Sequence, residues 1–173
     1  MAARLTHQEI IDFLIRDVIK VILTDNSITD VPVIQSHQDA PAPAEPYITV
    51  SYTANVNKIG RATKHNLFDD AGTHKRYITN DNELTGIDLI EEGGDGSYLD
   101  LIADSMETTK IIHVFKTNQI ALLRVGNIIP QPTLFNDDWT RRSSMEIVLG
   151  ISSGVIETVE YINDVEYTGT IPK

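Results

Sequence analysis

The chain reads as an α+β protein built on a mainly antiparallel sheet, packed by an N-terminal and a central helix. Three observations carry that reading: an amphipathic first helix, two stretches of clean period-two alternation, and an element order of helix, strands, helix, strands rather than repeating βαβ units. At 173 residues and 41% hydrophobic content the chain is long enough for one domain with a real core, so residues 1–173 are taken as one unit.

The first helix opens at Thr6, with Glu9 three residues on as its capping-box partner. Ile10, Leu14, Val18 and Ile22 recur at four-residue spacing, and Ile11, Ile15 and Ile19 widen the stripe into a face that a sheet or another subunit must cover. Asp25, Asn26 and Ser27 end it near Thr24. Ser36 to Pro46 (SHQDAPAPAEP) is an extended connector, because its prolines exclude helix.

A strand follows, in which Ile48, Val50, Tyr52, Ala54 and Val56 point one way and Thr49, Ser51, Thr53 and Asn55 the other. Asn57 to Thr73 shows little periodicity and reads as a long loop or hairpin arm carrying Lys58, Arg61 and Lys64. Strands are expected around Lys75 to Thr79 and from Glu83 to Ile90, joined by a tight turn at Asn80, Asp81 and Asn82, which makes this region a long hairpin arm.

After EEGGDGS, a helix from about Ser97 places Leu99, Ile102 and Met106 on one face, and helix resumes after Thr109 toward Phe115. Gln119 to Val125 is short and apolar, as a buried strand would be. Ile128 to Asp138 is irregular, with Pro130 and Pro132. A long strand then runs from about Trp139 to Ser152, Met145, Ile147, Leu149 and Ile151 forming its inner face and Arg141 and Arg142 an exposed start. The end, residues 155–173, reads as an extended, acidic C-terminal arm with Glu157, Glu160, Asp164 and Glu166.

Composition excludes several function classes. Fourteen Lys and Arg against 25 Asp and Glu give a net charge of −11, the opposite of what a surface gripping duplex phosphates needs. The absence of cysteine removes disulfides, thiolate catalysis and cysteine-based metal sites. No apolar run approaches the ~20 residues of a membrane span and no secretory signal pattern is present, so the expectation is a soluble protein, made in the cytosol, with no membrane partner.

Three motifs carry residues with potential chemistry. Gly150, Ser152 and Gly154 fit G-x-S-x-G, but that fold needs a histidine after the serine and the last one here is His113. The loop Gly93, Gly94, Asp95, Gly96 precedes a helix, where phosphates bind, yet it lacks the Lys-Ser/Thr ending and adds the carboxylates of Glu91, Glu92 and Asp95. His65, Asp69, Asp70 and His74 have metal-ligand chemistry without the spacing of a known cage. The expectation is therefore no catalytic residue, no metal and no cofactor. Trp139, beside Arg141, suits an interface anchor as well as a half-buried strand end.

In its order of elements the chain resembles the tail terminator (neck, or tail-completion) proteins of tailed bacteriophages. The resemblance runs over the amphipathic helix (Leu5 to Ile22), PYITVSY (Pro46 to Tyr52), the strand–turn–helix from Leu84 to Met106, IALLRVG (Ile120 to Gly126), the Arg-led strand from Arg141 to Ile151, and VEYINDVEYTGTI (Val159 to Ile171). It implies a structural virion protein, usually a hexameric ring, made in the host cytoplasm. Such a ring caps the tail tube, stops its polymerisation, joins the tail to the head connector or stopper, and lets DNA pass through its channel. It also implies self-association and contact with the tube protein and, in a contractile tail, with the sheath. Lys58, Arg61, Lys64, Trp139, Arg141 and Arg142 are then interface candidates, and Glu157, Glu160 and Glu166 candidate lumen-facing acids. The alternatives are another neck component, such as a head-completion or collar protein, and a small metal-dependent enzyme using His65 and His74.

Overall fold

The computed structural model describes residues 5–68, 74–135 and 138–158. The first helix forms where its capping box predicts: Thr6 N–H donates to Glu9 Oε2 at 2.6 Å and Glu9 N–H to Thr6 Oγ1 at 3.2 Å. It is α-helical over His7–Phe13 (α1), π-helical over Leu14–Ile19, and α-helical again over Lys20–Asp25 (α2). The π turn has a cause in the sequence. Side chains four apart drift about 40° per step around a helix of 3.6 residues per turn, so a strict four-residue stripe leaves the core face within a few turns. A wider turn takes up that drift, and Ile10, Leu14, Val18 and Ile22 all end buried.

The chain continues through β1 (Val33–Gln35), β2 (Tyr47–Phe68), β3 (His74–Glu92), α3 (Ser97–Met106), α4 (Thr109–Thr117), β4 (Ile120–Val125), β5 (Ile129–Pro130), β6 (Thr133–Phe135), β7 (Asp138–Thr140) and β8 (Arg142–Thr158). The main sheet has the order β1-β2-β3-β8-β4, with β5 also on β8, and every pairing is antiparallel except β1 with β2. The α+β class with a mainly antiparallel sheet is thus what the chain adopts. α1 packs on β2, α3 on β3 and β8, and α4 on β4. Ile48, Val50 and Tyr52 of β2, Leu84, Ile87 and Leu89 of β3, and Met145, Ile147, Leu149 and Ile151 of β8 form one core with the helices, all 8% exposed or less. Each such side chain taken from water contributes about 1.5–3 kcal/mol. Between Leu84 and Ile87 the period-two pattern breaks, and a bulge at Gly86, with φ of 75°, returns Ile87 to the core face.

Several expectations are narrowed or corrected. Of the two readings of Asn57 to Thr73, loop or hairpin arm, the described part is the arm: Asn57 to Phe68 is strand, continuous with Tyr47 and paired to β3 as far as Phe68 with His74. Asn80, Asp81 and Asn82 are no turn: they lie in mid-strand, opposite Ser153, Ser152 and Ile151 of β8, and β3 runs unbroken. The expected buried strand at Gln119 to Val125 is, among the described residues, an edge strand paired with β8, and of β4 only Ile120 is buried. Within the stretch expected to be irregular, β5 joins β8 while β6 and β7 form a separate hairpin. The long strand starts at Arg142, after that hairpin, and continues past Ser152 to Thr158. Of the C-terminal arm expected over 155–173, residues 155–158 are strand and the rest lie outside the described residues.

Past Val56, Leu84 and Ile151 the strands β2, β3 and β8 run on together as a three-stranded ribbon, the arm, and among the described residues only α4 comes near it, at its root. At about 3.3 Å per residue, Asn57 to Phe68 extends roughly 35–40 Å from the body.

Candidate interaction surfaces

The arm leaves two strand edges open. β1 pairs with β2 only over Ile48 to Val50, and β4 with β8 only as far as Ile151, so among the described residues nothing pairs with the outer edges of β2 beyond them or of β8 from Ser152 to Thr158. From Asn57 to Phe68 the arm carries Lys58, Arg61 and Lys64 and no acid, in a chain of net charge −11. Lys58 and Lys64 are exposed; Arg61 lies between them on β2. A bulge between Ile59 and Thr63, with Gly60 at φ of 70°, interrupts the pairing at this point.

Polar cross-strand bonds fix the root of the arm. Asn82, 6% exposed, donates from Nδ2 to Ser153 Oγ at 2.9 Å, and Ser152 Oγ donates to Asp81 Oδ1 at 2.6 Å. Further out, Arg76 faces Glu157 at 3.7 Å. Between the root, α4 and β4 lies an open apolar groove of about 610 Å³. Phe115, Ile120 and Ile151 form its floor, and the exposed Ile59, Ile112 and Leu123 its walls. Leu123 lies over Gly150, where a side chain would meet it at 3.2 Å, so the glycine of the supposed nucleophile motif makes room for the wall of the groove.

The opposite end of β8 carries a different surface. The β6–β7 hairpin pairs Leu134 with Trp139, so the two side chains share a face, at 53% and 70% exposed. Trp139 is thus an exposed hairpin residue and not a half-buried strand end. Arg141 is exposed beside it. Arg142, expected to be exposed, is instead partly covered and lies 3.3 Å from its cross-strand neighbour Glu92. The six interface candidates therefore do not converge: Lys58, Arg61 and Lys64 lie at the arm end of the sheet, level with Ile151 to Val155 of β8, and Trp139, Arg141 and Arg142 at the other, roughly 30–45 Å away. Of the candidate lumen acids, Glu157 is on the arm beside Arg76, while Glu160 and Glu166 lie outside the described residues.

The glycine-rich turn before α3 is occupied by the chain itself. Glu91, fully buried, accepts from the N–H groups of Gly96 at 3.0 Å, Tyr98 at 3.1 Å and Leu99 at 3.2 Å. Its carboxylate takes the place at the helix N-terminus that a phosphate would fill, satisfying donors that the N-cap residue Gly96 has no side chain to reach. Gly94 is required there, because a Cβ would collide with the Glu91 carboxylate. Sequence spacing alone did not find this role for Glu91. The signal present was an acid placed before a glycine N-cap. Asp95, exposed, is held below the usual carboxylate range by its hydrogen bonds to Ser97. Ser152 faces Asp81 with no histidine bonded to it, and the described residues hold no cluster of three or more metal-ligating side chains. Asp69 and Asp70 lie outside the described residues. No described helix is long and apolar enough to cross a membrane.

Open strand edges, an exposed apolar hairpin and a basic stretch of arm on an acidic chain are features of interaction surfaces and not of a catalytic cleft. The model of a family described as phage neck terminator protein matches residues 8–173, and the chain belongs to that family. The family is one of structural neck proteins of the virion, not of enzymes. No curated protein matches the chain.

Proposed function

We propose that the protein forms a ring, hexameric as the family resemblance implies, that caps the tail tube, stops its polymerisation and joins the tail to the head connector or stopper. The observation that carries this reading is the three-stranded arm. A ribbon whose two edges are open among the described residues is suited to pair with strands of neighbouring chains, as β-augmentation does. Its bases match an acidic partner surface, which neighbouring copies of this chain or a tube protein can supply. A predominantly acidic body also suits a conduit for DNA, since a basic lumen would hold phosphates by counterion release. Tail tube, connector and, in a contractile tail, sheath are the partners; DNA only passes through. Assembly takes place in the host cytoplasm and the finished ring stays in the virion neck.

Negative-stain imaging of the purified chain, alone and mixed with tubes of the cognate tail-tube protein, tests the proposal. Rings seated at one tube end with tube growth arrested are the expected result. Tubes that grow unchanged and uncapped would assign the chain to another position in the neck.

A further inference from the structure

We infer that the apolar groove at the root of the arm receives the Leu134–Trp139 hairpin of a second copy of this chain. The inference rests on the ring reading above and names the contact that closes the ring. It starts from two apolar surfaces on one chain that the described residues leave uncovered. One is the groove walled by Ile59, Ile112 and Leu123 over Phe115, Ile120 and Ile151. The other is the hairpin face with Leu134 and Trp139, the latter 70% exposed. They cannot meet within one molecule: Trp139 precedes Arg142, and β8 runs unbroken from there to Ile151, a span of roughly 30 Å.

Both surfaces carry mixed charge, Asp81 and Lys116 on the groove and Asp138 and Arg141 on either side of Trp139 in sequence, so a docked hairpin can set Arg141 against Asp81. Arg141, exposed next to Trp139, makes no direct ion pair among the described residues and acts on Asp95 only through its charge. Asp81, exposed at the groove edge, accepts from Ser152 and likewise has no described cationic partner. Trp and Arg are among the residue types that most often dominate a protein interface, and a groove with an apolar floor and the Asp81 carboxylate on its lining, beside Lys116, offers a seat for the one and a counter-charge for the other. The hairpin also gains from docking. With three residues in each strand, β6 and β7 form a two-stranded ribbon of a kind marginal on its own in water. A patch on one copy that fits a different patch on the next is a heterologous contact, and such contacts close into rings when the rotation between copies permits.

The chain's lack of cysteine makes cross-linking decisive, because every thiol is an introduced one. Leu134→Cys protein is mixed with Leu123→Cys protein, alone and on cognate tail tubes, and treated with a short bis-maleimide. A cross-linked dimer is expected in the mixture and not in either variant by itself. In parallel, Trp139→Ala is expected to weaken self-association by about tenfold or more with an unchanged thermal transition. Arg141→Asp and Asp81→Arg should each weaken it, and the two combined should restore it. Assembly that proceeds without the cross-link and ignores Trp139→Ala overturns the inference and leaves the ring reading standing. Trp139→Ala that spares self-association but abolishes tube binding also overturns it, in favour of a hairpin that docks on the tube. Wild-type protein that assembles neither alone nor on tubes removes the ring reading itself.

Discussion

Body and arm are built from the same three strands, β2, β3 and β8, and are held by different forces. In the body these strands press Ile48, Ile87 and Ile147, all 0% exposed, against the helices. In the arm the same pairing continues, but Ile59 and Val155 stand 45% and 55% exposed, and cross-strand hydrogen bonds and side-chain pairs are what remains. The body is stabilised by burial; the arm is an extension templated on it. Such an extension opens at lower free energy than the core beneath it.

The comparison breaks first at the body. Leu149→Ala, at a fully buried position, should cost about 2–5 kcal/mol, read as a fall in the denaturation midpoint of the whole domain. Glu91→Ala should cost about 2–3 kcal/mol, because three buried or half-buried N–H groups at the start of α3 lose their acceptor. Gly94→Ala displaces the same carboxylate and should shift the midpoint in the same direction. An indifferent Glu91→Ala would mean that water caps the helix equally well.

At the arm the expected sign is different. Lys58 and Asn82 are cross-strand partners, so an Asn-Gly turn can join them and remove residues 59–81. The body's cooperative transition should move by no more than about 1 kcal/mol, while capping of tubes is lost. A collapsed transition would show that the arm stabilises the body. Hydrogen exchange sharpens the same contrast without mutation: amides at 63–67 and 75–79 should exchange faster than those at 48–52 and 87–91.

The smallest effect concerns pH. Asp88, paired across the strands with Glu146, is raised above its ordinary pKa, first by burial and then by the Glu146 charge. A carboxyl raised on folding costs stability once it is ionised in both states. The cost is full above the folded pKa and disappears as pH falls through the ordinary carboxylate range. Asp88→Asn should therefore raise the thermal transition at neutral pH by about 1 °C, with the gain vanishing in acid.

Much of the body was legible in the sequence, because its signals are local. The Thr6–Glu9 box, the faces of α1 and α3, and the alternation at Ile48 to Tyr52 and Met145 to Ile151 each follow from residues within a turn or two of one another. Even the π turn is written in the four-residue spacing of its isoleucines. The arm was not legible in the same way. Asn57 to Phe68 has no inside and no outside, so it carries no period, and its strand is imposed by pairing with residues 74–83. Asn80, Asp81 and Asn82 favour a turn by themselves, but partners on both sides hold them in mid-strand. The apolar run of β4 indicated burial, yet its place at the sheet edge leaves Leu123 to wall a groove. The separation of Trp139 from Lys58, and the capture of α3 by Glu91, likewise come from the path of the whole chain. Helix caps and periodicity are properties of neighbouring residues, whereas which strand lies beside which is a long-range choice made by the assembled sheet.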